Sequence, residues 1–205
     1  MFLSGSTLSR LSTFCIVTGV LLLLAPAAWV LYTGREASEV QTAALAAWES
    51  GRRVEPAPGG HASADKGLVL TIPRLGVRRF VPEGATSDHL RQYGVGRITW
   101  TALPSDSGML GIAGHRTTYG APFFRLDRLQ PGDAILVDYG GHRYRYRVDR
   151  QVTVTPDRAD ALQEQTGTRG IALVTCSPPY SAAFRLIVFG SLEQGNLASS
   201  VHAPQ

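Results

Sequence analysis

Residues 171–190 read "IALVTCSPPYSAAFRLIVFG". An apolar, β-branched run, Ile171–Thr175, leads into Cys176. Two prolines and a turn follow, and a second strand-like run, Phe184–Gly190, carries Arg185. Runs of this composition bounded by Pro and Ser read as strands. A thiol therefore closes one strand and an arginine opens the next. Alternation puts Arg185 on the face of Ile187 and Phe189, opposite Phe184, Leu186 and Val188. An arginine just after the turn from Cys176 can lie beside the thiol. There it could donate to a developing oxyanion or hold a substrate carbonyl.

Working outward, the texture from Gly67 to about Glu193 is uniform. "LVLTI" is a strand closed by Pro73, and "VRRFV" one closed by Pro82. "TSDHLRQ" reads as a helical turn or two capped by Thr86 or Ser87. "GMLGIAGHR" is strand-like up to His115, and "FFRLDRLQPGD" is a short helix ending in a turn. "AILVDY" and "HRYRYRVDRQVTVT" flank Gly140-Gly141, a hairpin signal. In the second arm Tyr144, Tyr146 and Val148 alternate with arginines, so one face packs and the other is wet. Thr155-Pro156 opens a further short helix. Many short strands, tight turns and brief helices predict a mainly β fold, a closed or nearly closed β-barrel.

Upstream, Leu11–Tyr32 is a run of 22 residues without charge. As a helix it spans the ~30 Å of a hydrocarbon core. Ala25-Pro26-Ala27 resembles a signal-peptide cleavage site, but the apolar run continues to Tyr32, longer than a signal peptide needs. We read a retained membrane anchor. Arg10 precedes it, while Arg35, Glu36 and Glu39 follow, so the N terminus is expected in the cytoplasm and the rest of the chain outside. Val40, Ala43, Ala44, Ala47 and Trp48 lie on one helical face. "GRRVEPAPGGHASADK", residues 51–66, reads as a flexible tether. The expected layout is a cytoplasmic segment (1–10), an anchor (11–32), a juxtamembrane helix and linker (33–66), a barrel domain (67–193) and a tail (194–205).

The net charge is +4, and Lys66 is the only lysine. The arginines are scattered rather than clustered with aromatics, which argues against a nucleic-acid partner. Cys15 lies in the apolar run and cannot reach Cys176, so Cys176 is a candidate reactive thiol in an exported domain. A thiol becomes a nucleophile when an imidazole takes its proton or favours its thiolate. His61 lies in the tether and His202 in the tail. His142 follows the Gly-Gly turn, and His89 is on a short helix, where a surface role is expected. His115 ends an apolar, glycine-punctuated strand as Cys176 ends its own, and two strand ends can share one mouth of a barrel. No CxxC, HxxxH or acidic Ca²⁺ loop is visible, and no cofactor is expected.

"LVTC" with an arginine nine positions on and "AGHR" upstream resembles the signature of sortases, bacterial cysteine transpeptidases. "IPRLGV", "FFRLDRLQPGD" and "RYRYRV" stand at sortase-like spacing, over about Gly67–Glu193. Ala172 stands where the motif often has Thr. The resemblance implies an eight-stranded sortase β-barrel of class D or E type. It implies Cys176 as nucleophile, His115 as general acid/base, Arg185 as oxyanion and substrate clamp, and Thr175 shaping the substrate groove. It also implies partners: proteins bearing an LPxTG-like sorting signal, and an amine acceptor on a cell-wall precursor or a pilin lysine. Two other readings fit the thiol and imidazole. One is an exported cysteine peptidase or another cell-wall acyl transferase; the other is a membrane-tethered barrel that only binds.

Overall fold

The computed structural model describes residues 5–52, 54, 67–158, 162, 169–193 and 198–199. The tether expected at 51–66 lies almost wholly outside the described residues, as do His61 and His202.

The anchor and the juxtamembrane helix form one uninterrupted element. Helix α1 runs Gly5–Glu49, with Pro26 inside it. At ~1.5 Å per residue it is about twice as long as a bilayer core is thick. Its N-terminal part is the one described helix long and apolar enough to cross a membrane. Phe14, Leu21, Leu23, Trp29 and Leu31 are all exposed there. The C-terminal part lies on the barrel through a stripe of Thr33, Ala37, Gln41 and Ala44, each 3% exposed. This i, i+4, i+8, i+11 spacing is one helical face, rotated slightly from the expected one, of which Val40, Ala44, Ala47 and Trp48 pack on the barrel and Ala43 is exposed. Gln41 explains the rotation. Its Nε2 donates to Phe80 O at 2.9 Å and to Tyr93 O at 2.7 Å, and its Oε1 accepts from Phe80 N at 2.9 Å. A polar side chain stays buried because the edge of the sheet needs both its donor and its acceptor.

The remaining strands are β1 (Gly67–Ile72), β2 (Val77–Pro82), β3 (Val95–Arg97), β4 (Met109–Gly114), β5 (Ala134–Tyr139), β6 (His142–Val154), β7 (Gly170–Ser177), β8 (Phe184–Leu192) and β9 (Ala198–Ser199). Helix α2 is Ser87–Tyr93, capped by Thr86, whose hydroxyl accepts from His89 N. One sheet runs in the order β2-β1-β5-β6-β8-β7-β4-β3, with β9 added to β6. The two edges meet at a parallel bridge, Glu83 to Arg97. This closes the sheet into the expected eight-stranded barrel, with β9 a short addition inside the expected tail. The bridge is reinforced by the Arg97–Glu83 ion pair and by Arg97 donating to the carbonyls of Ile98, Thr99 and Thr101.

Some expectations needed correction. "FFRLDRLQPGD" contains only a 3-10 turn, Leu126–Arg128. Residues 155–158 form a turn, and the rest of the helix expected there lies outside the described residues. His89 is buried, not at the surface; its Nδ1 sits 2.8 Å from Gly84 O. Strand β3 was not anticipated. At three residues it is too short for periodicity to register.

Alternation divides the apolar residues between two layers. Leu110, Ile112, Ile171, Leu173, Leu186 and Val188 fill the barrel with Tyr144, Tyr146 and Val148 of β6. The opposite faces of the same strands form a second cluster outside the barrel: Met109, Ala172, Ile187 and Phe189, covered by Leu162 from the β6–β7 connection. The central strands β7 and β8 are thus apolar on both faces, which is why their sequences read as continuous runs.

Candidate active site

Strand β7 lies between β8 and β4, and each neighbour brings one polar side chain to the level of Cys176. In the antiparallel β7–β8 ladder Cys176 stands directly opposite Arg185. Residues opposite one another in such a pair share a face, with Cβ atoms ~4.5–5.5 Å apart. On the other side β4 runs parallel to β7, with Ala113 paired to Val174. His115 lies two residues past Ala113, as Cys176 lies two past Val174. Thiol and guanidinium therefore lie on adjacent strands at one end of the barrel, and His115 follows directly on the last residue of β4.

The face they share is the outer one. Cys176 alternates with Val174 and Ala172, Arg185 with Ile187 and Phe189, and His115 with Ala113 and Gly111. Ala172, Ile187 and Phe189 belong to the outer cluster. The expected barrel mouth is instead a stretch of outer wall near the barrel's end. Gly111 and Ala172 form a covered floor there, Gly111 beneath Thr101 and Ile98 and Ala172 within the outer cluster, while Ala113 is partly exposed. A departure from the motif, Ala172 for Thr, belongs to this floor.

Thr175 points the other way. It is 2% exposed, and its hydroxyl donates to Gly114 O at 2.8 Å. Its side chain stitches β7 to the last residue of β4 and does not line the face of Cys176. Strand alternation alone separates it from its neighbour.

His115 is held from several sides. Its N–H donates to Gly94 O at 2.9 Å, and its carbonyl accepts from Phe123 N at 3.1 Å. Its ring lies 4.9 Å from that of Tyr119, centroid to centroid. Nε2 is buried and has no hydrogen-bond partner. Burial, and secondarily the positive charge of Arg91 on α2, push the imidazole pKa below its ordinary value. Both causes disfavour the imidazolium, so the resting ring is neutral at pH 7 and can accept a proton. Arg185 donates from Nη1 to Ala182 O and Phe184 O, both at 3.0 Å. The turn it closes contains Tyr180, which is 82% exposed at a φ of 65°.

Sequence reading did not single out Tyr119, Arg91 or Arg116. Arg116 is 4% exposed and donates to Asp127 Oδ1 at 2.8 Å, tying the two ends of the segment after His115. The available signal was "TTYGAP", where Tyr119, Gly120 and Ala121 all adopt positive φ. A motif reading passes over it because none of its residues is a nucleophile, acid or base.

The fold is a nearly closed β-barrel with a free thiol, Cys176, directly opposite Arg185 at the end of β7. The Sortase domain model matches residues 70–193. The chain belongs to the sortase family. It is 31% identical over 195 residues to sortase SrtE1 of Streptomyces coelicolor, across 86% of this chain and 54% of that one. It is 29% identical over 127 residues to sortase D of Bacillus subtilis, across 60% of this chain and 61% of that one. The chain thus spans little more than half the length of these curated relatives. Among solved structures, sortase E1 of S. coelicolor with a tripeptide in its active site superposes with a TM-score of 0.60 at 31% identity. That match covers 65% of this chain and 91% of the other. A sortase D5 transpeptidase of Clostridium perfringens gives 0.57 at 29% identity, over 63% and 79% of the two chains.

Proposed function

We propose that the protein is a membrane-anchored cysteine transpeptidase that cleaves an LPxTG-like sorting signal and passes the acyl group to an amine. The observation carrying this reading is the pairing of Cys176 with Arg185 across β7–β8, with His115 directly after the last residue of β4, the strand parallel to β7.

In this reading the Cys176 sulfur attacks the carbonyl carbon of the Thr–Gly bond, and His115 takes the thiol proton. The oxygen gains negative charge and accepts hydrogen bonds from the Arg185 guanidinium, whose fork can hold it at two points. The C–N bond breaks, and the glycine amine leaves with the proton from His115. The product is a thioester on Cys176. An incoming amine then attacks the thioester carbon and gives its proton to His115, which passes it to the departing sulfur, restoring the thiol and the neutral imidazole. The peptide would lie beside Cys176 and Arg185, where a dry groove protects the thioester from water. Thr175 contributes by fixing β7 against β4. The acceptor is an amine of a cell-wall precursor or a pilin lysine. The N terminus is cytoplasmic and the barrel outside, anchored by α1.

The test is incubation of the full chain with a sorting-signal peptide, with and without an amine. A product joined to the amine supports transpeptidation. Hydrolysis alone, unchanged by amine, would support the peptidase reading. No cleavage, with a panel of signals, would favour the barrel that only binds.

A further inference from the structure

The segment after His115 is held in a conformation a free loop would not keep. Tyr119, Gly120 and Ala121 have φ of 51°, 77° and 42°. For the two non-glycines this left-handed region costs on the order of 1–2 kcal/mol each, so the surroundings must impose it. Two contacts do so. Beneath the segment, a methyl group added at Gly94 would lie 2.6 Å from Tyr119 O, so only glycine lets the strand pass this close. Above it lies α1. A methyl group at Gly120 would sit 3.8 Å from the Ala37 Cβ, and one at Gly34 would sit 4.0 Å from Gly120 N. Ala37 belongs to the buried stripe of α1, and Gln41, one turn on, seats that stripe by three hydrogen bonds to Phe80 and Tyr93. Trp48 packs on Phe80 at 5.9 Å farther along.

A path therefore runs from the membrane helix to the imidazole: Gln41 holds Tyr93 O, the next carbonyl, Gly94 O, accepts from His115 N at 2.9 Å, and Ala37 lies about a methyl group's width from Gly120, whose neighbour Tyr119 sets its ring 4.9 Å from that of His115. We propose that α1 is a positioning element of the catalytic site. Gln41 fixes the His115 backbone through Tyr93 and Gly94, and Ala37 limits the space beside Gly120 and Tyr119. This rests on the reading of His115 as the acid/base. Tyr119 is a positioning residue whose stacked ring matters and whose hydroxyl does not. A displacement of about 1 Å in a catalytic group can cost ~100-fold in rate, so a small shift of this loop reaches the chemistry without touching the peptide groove. The barrel is accordingly active as a body docked on its own anchor, with the helix completing the wall behind the imidazole.

The experiment uses the full chain in nanodiscs, with Ala37→Leu, Tyr119→Ala, Tyr119→Phe and, as a control on the exposed side of α1, Ala43→Leu. Three quantities are read: the NMR signals of the His115 ring, assigned with His115→Gln; kcat and KM for a sorting-signal peptide; and the melting temperature. Ala37→Leu and Tyr119→Ala are expected to displace the His115 ring signals and lower kcat by about 10-fold or more, with KM unchanged. Tyr119→Phe restores both, and Ala43→Leu leaves both as they were. Should Ala37→Leu fail to fold, the smaller Ala37→Val makes the same comparison. Wild-type His115 signals and kcat in a folded Ala37→Leu or Ala37→Val protein would overturn the proposal, as would equal losses from Ala43→Leu. If the wild type transfers no acyl group yet the ring signals move in Ala37→Leu and Tyr119→Ala, the positioning contact stands and the acid/base reading falls.

Discussion

Cys176 and Arg185 are cross-strand partners in a single antiparallel ladder, nine residues apart in sequence and directly opposite in register. The relationship is rigid, because both residues belong to strands rather than to the turn between them. It leads to a first prediction. Arg185→Lys keeps the positive charge at that position but loses the planar fork. We expect kcat to fall by ~100-fold or more while KM changes little, as for loss of an oxyanion donor. Steady-state kinetics with a sorting-signal peptide measure it; a lysine variant with wild-type kcat would mean that the guanidinium is only a surface charge.

The second prediction concerns His115. Burial first, and Arg91 second, hold its pKa below the ordinary 6.5. Below pH 6.5 the unfolded chain binds the extra proton and the folded chain does not. The stability contributed by this group is therefore fully present above that pH and declines as pH falls through the window beneath it. Titration of the His115 ring by NMR should give a midpoint under 6.5. Arg91→Gln should raise the midpoint, and so should added salt, since an exposed charge is screened. A midpoint at or above 6.5 in the wild type contradicts the description of the site.

Thr175 supplies the third. Thr175→Val preserves the side-chain shape but leaves the Gly114 carbonyl without its donor. The expected cost is about 1–3 kcal/mol of stability, seen as a lower midpoint in chemical denaturation. Because the side chain faces the interior, KM for peptide should stay within a few-fold. A large rise in KM with unchanged stability would return Thr175 to the peptide groove.

Much of this architecture was legible in the chain, and the reasons differ from place to place. The β5–β6 hairpin announced itself because Gly140-Gly141 accepts the two positive φ values, 58° and 77°, that its turn demands. The Cys176–Arg185 pair was legible because strand–turn–strand fixes relative position over a short separation. The level of His115 depended on a parallel pairing between β4 and β7, which lie some sixty residues apart, and no local pattern encodes that. Alternation could say which residues shared a face, but not that the face of Cys176 lay outside the barrel, because β7 and β8 are apolar on both sides. The face of α1 was legible in Val40, Ala44, Ala47 and Trp48, which pack on the barrel, but one residue of its stripe was not. That residue is Gln41, a polar residue that hydrophobic periodicity discounts.

The fourth prediction tests closure of the barrel. Arg97 is 6% exposed and joins Glu83 while bonding several carbonyls of the β3–β4 connection. Arg97→Met leaves those acceptors unpaired where β2 meets β3. A loss of about 3–5 kcal/mol is expected, read as a fall in the denaturation midpoint. A change under 1 kcal/mol would show that the edges are held together by packing alone.

The claim on which the account depends is that the Cys176 sulfur carries the acyl group. The most direct measurement is mass spectrometry of the full chain mixed with a sorting-signal peptide in the absence of amine. The account predicts an adduct with the mass of the peptide up to its threonine, mapped to Cys176, removed by hydroxylamine and absent in Cys176→Ala. Cleavage of the peptide that persists in Cys176→Ala, with no adduct on the wild type, would contradict it.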